Sequence, residues 1–193
     1  MKTSTQTGFT LIEMLVTVAV FAVLVTNGVP SLRGFVQNNA LVNHHNDFIT
    51  ALNLARSEAA KRSGYVTLCA SSDQATCNTN NWESGWLLFT DADRDAAVDN
   101  GTDVVLQSRG ALTEVTLRSS SFDNDGRIQF NSRGSLGVAG NDSGSFVMCD
   151  DRGASDARSV VISAAGQIRL ARDTDDDGII NVLSGAEASC PAS

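Results

Sequence analysis

The chain has 193 residues, with 14 lysines and arginines against 22 aspartates and glutamates, which gives a formal net charge of −8. This length allows one domain of ordinary size with an appendage, and the negative charge argues against overall attraction to nucleic acid or to an anionic membrane surface. A hydrophobic fraction of 42%, with only two prolines, excludes a disordered chain and a proline-rich stalk.

The first predicted element is a membrane-spanning helix over residues 9–29, FTLIEMLVTVAVFAVLVTNGV. At about 1.5 Å per residue, this apolar run reaches across the roughly 30 Å core of a bilayer. Lys2 precedes the run without any acidic residue, and a positive end stays cytoplasmic, so the remainder is predicted to face the periplasm or the outside. No Ala-x-Ala site closes the run, which argues against an ordinary secretory signal. Hydropathy alone does not exclude the alternative that this segment is an ordinary membrane anchor that is never cleaved.

Glu13 is a carboxylate inside this apolar run. Such a group costs at least about 2.5 kcal/mol in a membrane helix and usually marks a function or a partner. A cut after Gly8 would free an ammonium group at Phe9, which could neutralise a Glu13 carboxylate in the same chain or in a neighbour. The alternative is a glutamate tolerated near the membrane interface.

The segment GFTLIEMLVTVAV, residues 8–20, resembles the prepilin signature of type IV pilins and type II secretion pseudopilins. The resemblance implies a leader over residues 1–8, cleavage by a prepilin peptidase between Gly8 and Phe9, and methylation of the new N-terminus to N-methylphenylalanine. It also implies that Glu13 pairs with the N-terminus of an adjacent subunit during assembly. Pro30 matches a proline that kinks the long helix in that family.

Beyond Pro30, which is predicted to bend or interrupt the helix, residues 31–62 carry one apolar stripe at helical spacing. The stripe predicts packing on a globular domain, and Gly64 is predicted to supply the stop. His44 and His45 are adjacent and point about 100° apart, so they are interpreted as ordinary helix residues rather than a chelating pair. The stripe comprises Leu41, Phe48, Leu52, Ala55 and Ala59.

From Tyr65 onward, short β-branched and aromatic runs alternate with turns, which favours antiparallel β-structure. No long helical pattern separates these runs, so a parallel α/β sheet is disfavoured. The predicted fold is α+β and pilin-like: a long N-terminal hydrophobic helix packed on an antiparallel β-sheet domain. The last two strands are predicted to form a hairpin. The predicted strands are 66–69, 86–90, 104–107, 115–118, 128–130, 146–149, 159–162 and 167–170.

Four cysteines, an even number in an exported domain, indicate disulfides. Three connectivities are open. Pairing Cys69 with Cys77 and Cys149 with Cys190 would close one small loop and pin the C-terminal tail. A zinc site is the disfavoured alternative, because no pair of cysteines has the spacing of zinc ligands.

The segments VTLCASSDQATC, NWESGWLLFTDADRD, RIQFNSRGSL and ARSVVISAAGQIRL resemble minor pilins of the FimT/FimU type, whose domain is shared with the H-type minor pseudopilin of type II secretion. The resemblance implies a leader (1–8), a transmembrane and fibre-core half of the helix (9–29), an amphipathic half (30–63) and a periplasmic β-rich domain (64–193). In this family such a chain sits in the inner membrane by one helix and then enters the pilus fibre at the cell surface.

The function implied is that of a minor type IV pilin. It assembles with other minor pilins and the major pilin, primes pilus assembly near the tip and supports twitching motility. The alternatives are a minor pseudopilin of type II secretion and a pilus-associated DNA-uptake subunit. The sequence lacks the nucleophile-elbow, Walker and H-E-x-x-H motifs, so no enzymatic activity is predicted.

Asp173, Asp175 and Asp177 precede Gly178 in a D-x-D-x-D-G pattern, in which alternate carboxylates can converge on calcium. Ser184 stands at the twelfth position, where a bidentate glutamate is expected. No cofactor is therefore predicted apart from calcium at this pattern, and a polar turn is the preferred interpretation. A similar alternation without the glycine is interpreted as an acidic turn; it comprises Asp91, Asp93 and Asp95.

Some relatives with this domain bind DNA through a G-R-x-R motif on a C-terminal hairpin. The matching residues 166–169 read GQIR, so Gln167 replaces the first arginine. Arg169 and Arg172 are the surviving cations, and four carboxylates follow them. DNA is therefore a disfavoured partner. The plainer interpretation is that these arginines keep the hairpin soluble and pair with the acidic loop.

Trp82 and Trp86 frame a short turn that contains Gly85. Trp86 is predicted to anchor the core, whereas an exposed Trp82 could contact another subunit.

Overall fold

The computed structural model describes residues 8–122, 126–137 and 143–191. These residues form one α-helix, eight β-strands and two short 3-10 helices, and the chain divides into two compact units at Asn39 and Ala40. The predicted leader lies outside the described residues except for Gly8. The elements are α1 (Leu11–Arg62), β1 (Val66–Ala70), β2 (Trp86–Thr90), β3 (Val105–Arg109), β4 (Thr116–Ser120), β5 (Arg127–Phe130), β6 (Gly144–Cys149), β7 (Arg158–Ile162) and β8 (Ile168–Leu170).

The helix α1 begins with a side-chain cap. The Glu13 N–H donates to Thr10 Oγ1 at 3.2 Å, and threonine at the N-cap with glutamate three residues later is the pattern of a capping box. The helix continues through position 30 without a break, so an interruption at Pro30 is wrong, whereas a bend there stays a prediction. A proline removes one helical hydrogen bond, and the flanking turns sustain the helix. The side chain of Pro30 lies outside the described part of the chain.

The helix ends at Arg62, the last residue of the predicted helical segment. Ser63, rather than Gly64, adopts the left-handed conformation, with φ of 52°. The Ser63 N–H donates to the Ala60 carbonyl at 3.3 Å, and the Gly64 N–H donates to the Ala59 carbonyl at 3.1 Å. This pair of bonds is a Schellman motif, which satisfies carbonyls that the helix end would otherwise leave unpaired.

The eight predicted strands are all present, and their antiparallel pairing is confirmed. They divide between two four-stranded sheets of order β3-β2-β1-β5 and β4-β6-β7-β8. At the centre of the first sheet, Leu68 pairs with Leu88 on one side and with Ile128 on the other. The predicted hairpin of β7 and β8 is formed, with Ile162 opposite Ile168.

The core of the second unit is built around Phe48 on α1. Its ring centroid lies 5.2 Å from that of Trp86, 5.7 Å from Trp82 and 4.7 Å from Phe146. Trp82 is 1% exposed, so the hypothesis of an exposed Trp82 is wrong; its ring packs against Phe48 and Phe146 instead. The predicted helical stripe is confirmed, because all five of its members are fully buried.

Both disulfides join the cysteines that are nearer in sequence. Cys69 in β1 pairs with Cys77, and Cys149 in β6 pairs with Cys190. The second bridge ties the C-terminal segment to β6, where Ala188 also packs in a small apolar cluster. The zinc alternative is wrong, because all four sulfurs are used in disulfides.

Candidate functional site

The first candidate site is the N-terminal part of α1, whose apolar side chains are uncovered. Phe9 is 83% exposed, and Ile12 and Phe21 are similarly open. The helix is long and apolar enough to cross a membrane, and none of its apolar window is buried within the chain. A contiguous apolar surface of this kind marks contact with a membrane or with another protein.

Glu13 is the one charged residue between positions 8 and 32. It lies in the first turn of α1, where a carboxylate interacts favourably with the helix dipole. Among the described residues it forms no ion pair. The structure thus places Gly8, Phe9 and Glu13 together at the exposed start of the helix, and pairing with a neighbouring subunit stays a prediction.

The second candidate site is the C-terminal acidic loop. One carboxylate oxygen from each of Asp173, Asp175 and Asp177 lies within 4.8 Å of the others. The Asp173 carboxylate accepts the N–H groups of Asp176 and Gly178, both at 2.8 Å. The hydrogen bond from Gly178 is the main reason that the pKa of Asp173 is lowered, whereas partial removal from water and contact with Asp173 raise the pKa of Asp175.

Glu187 joins this loop, which the sequence did not indicate. Its side chain meets that of Asp177, and this contact raises the pKa of Glu187. Glu187 thus adds a carboxylate beside Asp177, whereas position 184, where the calcium-loop pattern expects a glutamate, is a serine. Calcium at these residues stays a prediction.

The third candidate site is a second acidic loop, which follows β2 and leads into β3. Asp91 is fully buried at its start. The Asp91 Oδ2 accepts the Thr67 hydroxyl at 2.6 Å and the Gln129 side-chain amide at 2.8 Å, which fixes the loop to β1 and β5. The carboxylates of Asp93 and Asp95 raise the pKa of the Asp99 carboxyl.

Arg169 and Arg172 are exposed beside an open groove of about 880 Å³ along β8. Neither guanidinium pairs with a carboxylate within the described ranges, so the predicted pairing with the acidic loop is wrong. The carboxylate of Asp173 is occupied by backbone N–H groups of its own loop. Two unpaired cations therefore remain at this sheet edge.

His45 is a buried histidine on α1, and His44 beside it is half-buried. Burial, helped by the positive charge of Arg158, lowers the pKa of His45 to about 4. Its Nε2 has no hydrogen-bond partner among the described groups. The imidazole is therefore neutral in the folded protein at neutral pH.

This burial predicts a loss of stability in acid. In the unfolded chain His45 has a pKa near 6.5, whereas in the folded chain it is protonated only near pH 4. Between these two pH values the unfolded chain binds a proton that the folded chain does not. The free energy of unfolding should therefore fall as the pH drops from about 6.5 to about 4. The loss attributable to His45 between pH 7 and pH 4.5 is about 2–3 kcal/mol. Urea unfolding of the wild type and of His45→Gln at both pH values measures it, with His44→Gln as the comparison. Equal losses in wild type and His45→Gln would contradict the prediction.

Comparison with protein families gives two matches. The model described as type II transport protein GspH matches residues 44–166, and the prokaryotic N-terminal methylation motif matches residues 3–26. The second match contains Gly8, Phe9 and Glu13. Comparison with curated proteins gives no match.

Among solved structures, the type IV minor pilin FimU of Pseudomonas aeruginosa is similar, with 21% identity and a TM-score of 0.54 over 70% of this chain and 91% of that one. This similarity supports a shared fold. The minor pseudopilin EpsH from the type 2 secretion system of Vibrio cholerae matches with 11% identity and a TM-score of 0.44, over 65% of this chain and 90% of that one.

Proposed function

We propose that this chain, which belongs to the family described as type II transport protein GspH, is a minor type IV pilin. In this role it assembles with other minor pilins and the major pilin, primes pilus assembly and lies near the pilus tip. Its contribution to pilus biogenesis and twitching motility is structural, and it has no catalytic step.

The observation that carries the proposal is the exposed apolar start of α1 with Glu13 as its one charge. In the membrane this surface contacts lipid, and in a fibre it contacts the equivalent helices of other subunits. An unpaired carboxylate is unfavourable in either apolar setting. An ammonium group at Phe9 of the neighbouring subunit would satisfy it and would set the register between the two chains.

The same proposal accounts for processing and location. The prepilin peptidase removes residues 1–8 on the cytoplasmic side and methylates Phe9, within the region of the methylation motif. The chain stays in the inner membrane by one helix, and the β-rich domain is periplasmic. Two disulfides in that domain are consistent with an oxidising compartment.

The main alternative is a minor pseudopilin of the type II secretion system, which the description of the matching family favours. Deletion of the gene distinguishes the two. Loss of surface pili and twitching supports the pilin, whereas intact pili with blocked export of secreted enzymes supports the pseudopilin.

DNA uptake is the less favoured alternative. The unpaired Arg169 and Arg172 favour it, but the net charge of −8 and the neighbouring aspartates oppose it. A DNA receptor would bind duplex DNA with an affinity that falls steeply as the salt concentration rises. The substitution Arg169→Ala should make that salt dependence less steep.

Mass spectrometry of sheared surface fibres and washed membranes tests the proposal directly. Arg33 is the first basic residue after Lys2, so trypsin should release residues 9–33 from a processed chain and residues 3–33 from an unprocessed one. We expect the peptide that starts at methylated Phe9 in the sheared fibres. A Gly8→Val chain, altered at the cleavage site, is the control and should give the longer peptide.

The methylated peptide confined to membranes would favour the pseudopilin. An intact leader in every fraction of cells with an active prepilin peptidase would contradict both assignments and leave an anchored domain that is not assembled.

A further inference from the structure

Asp91 is a fully buried carboxylate of which one oxygen is unpaired. Its Oδ2 accepts three hydrogen bonds, from the Thr67 hydroxyl, the Gln129 amide and the Ala96 N–H. Its Oδ1 is shielded from solvent and accepts none from the described residues. A buried anionic oxygen without a partner is strongly unfavourable, so this oxygen points to a ligand that supplies positive charge.

Two further carboxylates lie close to that of Asp91. One carboxylate oxygen each from Asp91, Asp93 and Asp95 lies within 4.8 Å of the others. Arg94 and Arg127 contact other groups: Arg94 lies over the Tyr65 ring at 4.5 Å, and Arg127 Nη1 donates to the backbone carbonyl of Asp95 at 3.4 Å. In the described parts of the chain, none of the three carboxylates forms an ion pair.

The loop backbone leaves Oδ1 free for such a ligand. Ala96, the sixth residue of the loop, has φ of 61° and turns its N–H onto Asp91 Oδ2. The carboxylate of Asp103 holds the second half of the loop, because it accepts the N–H groups of Ala92 at 3.2 Å and Asp99 at 3.1 Å. The loop is thus closed by its own hydrogen bonds without using Asp91 Oδ1.

We propose that the loop between β2 and β3 binds calcium through Asp91 Oδ1 and the carboxylates of Asp93 and Asp95. Three acidic oxygens from alternate residues, without nitrogen or sulfur donors, match the ligand preference of this hard cation. The affinity expected for a site with few protein ligands outside the cytosol is about 10⁻⁴–10⁻³ M. The bound ion would hold the start of the loop that leads from β2 to the edge strand β3.

Calorimetric titration of the full chain, purified in detergent and freed of metal with a chelator, tests the site. Asp93→Asn and Asp95→Asn should each weaken calcium binding at this loop by at least roughly 10-fold, since even residues that only orient metal ligands contribute about 10–100-fold. Both side chains are exposed, and circular dichroism with a count of free thiols verifies that the variants fold.

Two controls separate this site from the C-terminal acidic loop and from a simple charge effect. Asp177→Asn removes a carboxylate of the C-terminal loop and should leave binding at the Asp91 loop unchanged. Glu114→Gln removes one exposed charge elsewhere and should bind calcium as the wild type does. Calcium should raise the unfolding midpoint of the wild type but not of Asp95→Asn. Binding that is unaltered in both Asp93→Asn and Asp95→Asn, or a wild type that binds no calcium at millimolar concentration, would overturn the proposal.

Discussion

A Glu13→Gln chain is expected to be synthesised, cleaved after Gly8 and retained in the membrane, but to be missing from the assembled fraction. Glutamine keeps the size of the side chain and removes the charge, so insertion of the helix is preserved or eased. What is lost is the partner of the ammonium group at Phe9 in the adjacent subunit.

The expected effect is large because that ammonium would be left unpaired among apolar helices. Removing one partner of a buried ion pair costs about 3–5 kcal/mol, and every 1.4 kcal/mol corresponds to about 10-fold in an equilibrium constant. The amount of chain in sheared fibres should therefore fall on the order of 100-fold or more. Immunoblots of sheared fibres, normalised to the membrane pool, measure this ratio.

The control for Glu13→Gln is Glu114→Gln, which removes the same charge from an exposed position of the β-rich unit. It should be assembled at the level of the wild type. If Glu13→Gln is also assembled at that level, the carboxylate does not set the register between subunits, and the interpretation as a tolerated glutamate near the interface would be preferred.

The second large effect is expected for Phe48→Ala, which should lower the free energy of unfolding of the β-rich unit by about 3–5 kcal/mol. The substitution removes a fully buried ring that makes edge contacts with Trp82, Trp86 and Phe146. Trp82 and Trp86 lie just before and at the start of β2, whereas Phe146 lies in β6, so closing the cavity would require two distant parts of the chain to move together. Urea unfolding followed by far-ultraviolet circular dichroism in detergent measures the loss.

Phe35→Ala is the matched control, because Phe35 lies on the same helix and is 65% exposed. Its removal should change the unfolding free energy by no more than about 0.5 kcal/mol. Similar losses for the two variants would contradict the assignment of Phe48 to the centre of the core.

The elements of the fold could be predicted from the sequence because each depends on a local pattern. The spacing of Leu41, Phe48 and Leu52 indicates a helix with one buried face, and the β-branched runs indicate strands. The division into two sheets could not be predicted, because β1 pairs with β5 across roughly 60 residues and no local signal encodes that partner. Trp82 shows the same limit, since its burial depends on the distant Phe146.

The candidate sites likewise differ in whether neighbouring residues in the sequence are enough to predict them. Gly8, Phe9 and Glu13 are contiguous, so a short motif was sufficient to identify them. The pattern of Asp91, Asp93 and Asp95 indicated only an acidic turn, because the burial of Asp91 is created by Thr67 and Gln129 on other strands. Glu187 was missed since it reaches its loop from outside the pattern that describes calcium sites.

The position of Phe48 also fixes an order of events during synthesis. Its ring is made 98 residues before that of Phe146, which covers it in the finished core. At a synthesis rate of about 5–20 residues per second, roughly 5–20 s pass between the synthesis of Phe48 and that of Phe146, its last aromatic neighbour. Throughout that interval the N-terminal part of α1 is an exposed apolar surface, and Phe48 lacks the last of its aromatic neighbours. Targeting factors and the membrane therefore meet this helix before the rest of the protein exists to compete for it.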